Sequence, residues 1–167
     1  MNLKRILACL LAVLSAFYLA SCAKKADYRD DVPTEAIAEE IRAALPQKVD
    51  YVEDDSGFTD DYFTLSDSVY EHTVLYARQT NNLDEFGVYH VKEADAKELA
   101  RQLREDYLAV SLERNREWYD SYIPAETPKL RDAQVRVYGS YVVYAILDKE
   151  SRNTMFDTVE RVLRVES

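Results

Sequence analysis

The chain has 167 residues, with 21 Lys and Arg against 31 Asp and Glu, for a formal charge of −10. That balance lacks the basic face phosphate binding requires and argues against nucleic acid as a partner; it also argues against an electrostatic grip on anionic lipid. With three Gly and two Cys in all, there is no Gly-rich phosphate loop and no CxxC pair.

Residues 1–5 carry Lys4 and Arg5 and no acid, and residues 6–20 are apolar apart from Ser15. These 15 residues fall short of the ~20 a helix needs to cross a bilayer. A basic start, a short apolar run and small residues before a cut site make a secretory signal. The run ends in Leu19-Ala20-Ser21-Cys22, which resembles the lipobox of bacterial lipoproteins. The resemblance implies that the peptidase recognises Leu19, Ala20 and Ser21 and cuts after Ser21. It also implies a diacylglycerol on the Cys22 thiol, with fatty chains such as palmitate, on the outer face of the cell membrane. Two chains anchor firmly where one holds marginally. Competing readings are an ordinary cleaved signal with an incidental Cys, or an uncleaved anchor.

Residues 1–21 are thus expected to be the signal, 22–31 the lipidated Cys and a polar tether, and 32–167 a single domain. Removing the signal leaves 167 − 21 = 146 residues and a charge of −12, enough for one core. Cys9 leaves with the signal and Cys22 is blocked, so the domain has no disulfide and relies on packing. Thirteen Tyr and one Trp predict an aromatic-rich core and rim.

In the domain, Asp31 or Thr34 can cap a helix with Pro33 in its first turn. Ile37, Ile41, Ala44 and Leu45 share one face, and Pro46 ends the run. Residues 50–61 are the most acidic stretch, with a turn at Gly57. Phe58, Tyr62, Phe63 and Leu65 then read as either one short helix or an irregular cover. Residues 73–79 and 85–92 are β-rich runs joined through Asn81-Asn82, apolar on both faces; Gly87 marks a bulge or a close approach. A long helix follows over residues 93–119, its inner stripe formed by Ala96, Leu99, Ala100, Leu103, Tyr107, Val110, Ser111 and Trp118. Pro124 ends it and Pro128 continues the loop. Residues 134–138 and 141–147 flank Gly139-Ser140, a type II′ hairpin, and set Val135 and Val137 on the side of Val142, Tyr144 and Ile146. Asp148 or Ser151 caps a last helix, with Met155, Phe156, Val159, Val162 and Leu163 on its apolar stripe.

The order strand–strand–helix occurs twice, at 73–119 and 134–164. The expected fold is α+β: a four-stranded antiparallel sheet from two ββα units, helices on one face, plus an N-terminal helix.

No catalytic set emerges from these residues. His72 and His90 could meet across the first hairpin, but no third ligand shares their spacing, so no metal site is assigned. Setting Gly57 at the sixth position of a calcium loop puts Val52 first and Phe63 twelfth, and both fail. Acid pairs for glycoside cleavage are uninformative among 31 acids. Tyr119, Tyr122, Tyr138 and Tyr141 are the candidate binding-surface residues, with core and rim roles as the alternative.

The lipobox, Glu85-Phe86-Gly87-Val88-Tyr89-His90-Val91-Lys92 before an acidic helix start, Tyr122-x-Pro124 with Pro128-Lys129-Leu130, and Val137-Tyr138-Gly139-Ser140-Tyr141 together resemble a family of small bacterial lipoproteins carrying domain of unknown function 4358. The resemblance covers roughly residues 34–164; Ser140 stands where that family often has Asn. It implies fold and location and brings no activity, cofactor or site. The expected role is a non-enzymatic extracytoplasmic domain that binds a protein or envelope component. The alternatives are an envelope hydrolase using acids alone, or a small-solute receptor.

Overall fold

The computed structural model describes residues 27–54 and 67–165. The signal, Cys22 and most of the acidic stretch and its apolar sequel, at 55–66, lie outside the described residues. Five strands form one antiparallel sheet in the order β1-β2-β3-β5-β4: β1 Tyr51–Glu53, β2 Val69–Ala77, β3 Glu85–Val91, β4 Gln134–Tyr138 and β5 Tyr141–Ile146. The two predicted hairpins join through β3 and β5, which pair from Glu85↔Ile146 to His90↔Tyr141. The fifth strand, β1, comes from the acidic stretch and pairs with the end of β2. It corrects the expected count of four.

Four helices are present among the described residues. Helix α1 is Thr34–Ala44. Helix α2 runs continuously through Ala96–Gln102, a π-helical stretch Leu103–Leu108, and Ala109–Tyr122. Short α3, Thr127–Arg131, carries Pro128 in its first turn, where the sequence predicts a continuing loop. Helix α4 is Lys149–Leu163.

The helices do not share one face. Ile37 and Ile41 of α1 and Met155, Phe156 and Val159 of α4 pack on Phe86, Val88, Tyr141, Val143 and Ala145. Leu99, Leu103 and Tyr107 of α2 and Leu130 of α3 pack on Tyr89, Val91, Val142, Tyr144 and Ile146. The expected two layers are therefore three. The cause lies in the middle strands: every residue of β5 is buried, as are five of the seven in β3. A strand that is apolar on both faces needs a cover on both.

Local details follow the chemistry of the ends. Gly139 has φ +60° and no non-Gly residue among those described has positive φ, so Ser140 is not left-handed and the hairpin is type II′ rather than I′. Val135 lies opposite Tyr144 and Val137 opposite Val142, on the predicted side. Helix α1 is not capped by Asp31 or Thr34. Its Thr34 N–H donates instead to Glu71 Oε1 of β2 at 2.9 Å, and the Thr34 and Thr73 hydroxyls meet at 3.0 Å. In α2 the π stretch adds a residue to one turn, which shifts the buried stripe. Leu108 is buried in place of Val110, and Trp118 is half exposed instead of extending the stripe.

The chain enters the domain through a strap. Arg29 N–H donates to Leu163 O, Val165 N–H to Asp27 O, and Tyr28 bridges to Arg164. Tyr141 closes it: its hydroxyl donates to Val32 O at 2.7 Å and accepts from Val32 N–H at 2.9 Å.

Asp148 caps α4, its carboxylate accepting from Glu150 N–H at 2.9 Å and Ser151 N–H at 3.0 Å. Burial pushes this carboxyl up, but the Ser151 and Glu150 donors outweigh it and hold it below its ordinary value. The stability it contributes is present above the ordinary Asp value near 4 and is lost as pH falls through the folded value. Asp148→Ala should cost about 1 kcal/mol at pH 7 in urea unfolding, and the difference should shrink below about pH 4.

Candidate functional site

Strand β3 carries Gly87 directly opposite Tyr144 of β5. A Cβ on Gly87 would stand 2.3 Å from Cε1 of the Tyr144 ring. The glycine is thus a close approach, one of the two roles the sequence allows. With the ring over Gly87, the Tyr144 hydroxyl reaches two residues back along β3 and donates to Glu85 Oε1 at 2.5 Å. Tyr107, in the π stretch of α2, donates to the same oxygen at 2.5 Å. The two rings meet edge to face, 5.6 Å apart at 72°. Both tyrosines are fully buried.

One carboxyl oxygen takes two phenol protons, and the other, Oε2, has no hydrogen-bond partner among the described residues. Burial pushes the Glu85 carboxyl up, and the nearby Asp54 charge adds to it; the donors from Tyr107 and Tyr144 oppose this and lose. Glu85 therefore keeps its proton to higher pH than an ordinary Glu. Burial, and then the Glu85 charge, push both phenols well above their ordinary range, so both remain donors.

Glu85, Tyr107 and Ser111 line a cavity of about 210 Å³, with Ile146 and Leu130 on its apolar side and Tyr76 and Tyr119 also in its wall. Ser111 follows Tyr107 by one turn of α2 and is 7% exposed, and its Oγ has no partner. Asp84, beside Glu85, belongs to a separate network. Lys129 of α3 donates to Asp84 Oδ1 at 2.6 Å, Glu126 Oε2 at 2.7 Å and Asn82 Oδ1 at 3.2 Å. Burial pulls the Lys129 ammonium down, but the Asp84 and Glu126 carboxylates outweigh it and hold it above its ordinary value. The network ties α3 to the β2–β3 turn and so fixes one wall of the cavity.

The four tyrosines singled out from sequence do not form one surface. Tyr138 and Tyr141 are 3% and 0% exposed and belong to the core, which corrects their place as binding-surface candidates. Tyr122 is exposed beside Trp118, ring centroids 5.5 Å apart. Tyr119 alone reaches the cavity. Leu19, Ala20, Ser21 and Cys22 lie outside the described residues. His72, exposed, stacks on Tyr89 on the α2 side of the sheet, and half-buried His90 stacks on Tyr141 on the opposite side, so the two histidines are on different faces. Among the described residues, no group of three His, Cys, Asp or Glu could hold a metal ion. Sequence reasoning missed Glu85, Tyr107, Tyr144 and Ser111 as a unit. The available signals were Gly87 in an aromatic strand and a serine on an apolar helix stripe.

Two outcomes follow from this packing. Ala in place of Gly inside a strand normally gains about 0.5–1 kcal/mol. Here the added methyl meets a ring carbon, so Gly87→Ala should lose about 1–3 kcal/mol in urea unfolding, with the loss relieved in a Tyr144→Leu background. For Glu85 the folded value is raised, so its effect on stability runs opposite to that of Asp148. Near pH 4 and below, folded and unfolded carboxyls are both neutral. As pH rises, the unfolded chain releases the proton first and the folded state loses ground. Glu85→Gln keeps an oxygen for the two phenols and removes this loss. Its stability relative to wild type, read from urea midpoints, should climb from pH 4 to 7; a flat difference would show an ordinary, ionised Glu85.

No curated protein and no solved structure matches this chain. The family model described as Domain of unknown function (DUF4358) matches residues 44–147, a narrower span than the 34–164 of the sequence resemblance. The match takes in all five strands, Glu85, Gly87, Tyr107 and Tyr144. It spans 147 − 44 + 1 = 104 of the 167 residues, and the chain belongs to the DUF4358 family.

Proposed function

We propose that this protein is a lipid-anchored, extracytoplasmic binding domain, held by diacylglycerol on Cys22, with the Glu85 cavity as its ligand site. The observation that carries the binding reading is the cavity itself. It combines a buried, unpartnered Ser111 hydroxyl with the open oxygen of a carboxyl that two phenols hold in place. Few convergent polar groups in a partly apolar hollow are what a small-ligand site requires.

The location rests on the lipobox-like Leu19-Ala20-Ser21-Cys22. The strap supports it. From Cys22 to Asp27 is five residues, at most about 17 Å of extended chain. The strap docks beside Tyr141, at the His90 end of β3, whereas the cavity lies at the Glu85 end. Those ends are five residues apart, about 17 Å along a strand. An anchor at Cys22 thus leaves the cavity on the far side from the membrane. One observation favours a second reading, an envelope hydrolase: the Glu85 carboxyl lines the cavity and is pushed above its ordinary value by burial, the direction a general acid requires.

The anchoring has a direct check. Cys22→Ser should move the protein from the membrane fraction to the soluble fraction, or leave it unprocessed, while the melting temperature of the domain stays unchanged. A Cys22→Ser protein that is still processed and still sediments with membranes would end the proposal.

A further inference from the structure

The ligand class follows from the charges around the cavity, on the reading above that the cavity binds a ligand. Two acids line it. Asp84 is held by Lys129, 2.6 Å away. Among the described residues no cation pairs with Glu85. Its partners are two neutral phenols, both on Oε1. With only hydroxyls beside it, the carboxyl has no countercharge to favour its ionised form, and an incoming cation would supply one as the proton leaves. An anionic ligand would meet this carboxyl with like charge. A cationic one would supply the missing countercharge, and its N–H would fill the vacant side of Oε2. The rings of Tyr107 and Tyr119 in the same wall add the electron-rich faces that favour a cation. The net charge of −10 raises the local concentration of cations around the whole chain. Ser111 Oγ, one helical turn from Tyr107, is the second vacant group. Side chains four apart on a helix lie about 5–6 Å from each other, the reach of a short aliphatic chain.

We propose that the cavity takes a primary ammonium group on Glu85 Oε2, flanked by tyrosine rings, with a second polar group of the same ligand on Ser111 Oγ. The source is either a free small amine or a lysine side chain presented by a peptide.

Titration calorimetry on the full chain in detergent tests this with four probes: 4-aminobutan-1-ol, its uncharged counterpart butane-1,4-diol, butylamine, and Nα-acetyl-lysine amide. The amino alcohol should bind, and the diol should bind at least tenfold more weakly. Glu85→Gln, which retains an acceptor for both phenols, should erase that preference while melting cooperatively. Ser111→Ala keeps the charge and should weaken the amino alcohol several-fold while leaving butylamine unchanged. Lysine amide binding as tightly as the amino alcohol identifies a peptide lysine; weaker binding identifies a free amine. Diol binding equal to that of the amino alcohol, unaffected by Glu85→Gln, overturns the ammonium assignment but leaves a ligand site at the cavity. No binding of any probe overturns both.

Discussion

The pairing of β3 with β5 is the constraint from which the rest of the fold follows. Phe86 and Val88 face one way while Tyr89 and Val91 face the other; Val143 and Ala145 oppose Val142 and Tyr144 in the same manner. Two adjacent strands with no polar face cannot form the outside of anything. Burying a large apolar side chain contributes about 1.5–3 kcal/mol, and leaving either face wet would forfeit several such contributions. Helices α1 and α4 therefore close one side, and α2 with α3 the other. Polar residues return in the strands outside this pair: Glu71 and His72 of β2 and Gln134 and Arg136 of β4 are exposed.

The same pairing explains why a carboxyl sits where it does. Glu85 is the first residue of β3, at the end of the most buried ladder in the sheet. Removing a carboxylate from water costs several kcal/mol, and each hydrogen bond to a charged group returns about 1.5–3. Two phenols nearly balance that cost but do not exceed it, which is why the acid is pushed up rather than down. Gly87 is part of the same arrangement. Any side chain there would displace the Tyr144 ring and with it one of the two donors.

How much of this could be read in the sequence depended on the range of the interaction. Periodicity located both hairpins and α1, α2 and α4, because those patterns are local. The turn at Gly139-Ser140 and the Asp148 cap are set by neighbours within three residues and were equally legible. The third layer was only half legible. The two-sided apolar character of residues 73–92 was visible, but which helix covers which face is settled by long-range packing. Strand β1 has three residues and pairs only with a partner about 25 positions away, so no local pattern marks it. The site was hidden for the same reason. Glu85, Tyr107 and Tyr144 are up to 59 positions apart, so no local pattern joins them.

The two ends of β3 are built for different work. At the His90 end the strap covers the sheet, with Tyr141 gripping Val32 by both backbone groups and Tyr28 edge-on to Tyr138 at 5.4 Å. Val32 is satisfied there by a side chain, while the buried Tyr138 hydroxyl and Ser140 Oγ at this end have no partner among the described residues. At the Glu85 end Ser111 Oγ and Glu85 Oε2 have no partner among the described residues. Buried polar groups normally find partners, and a hydroxyl left without one costs about 1–3 kcal/mol. That cost is carried at both ends of the strand, and on the proposed reading an incoming ligand would recover the share that falls on Ser111, which lines the cavity.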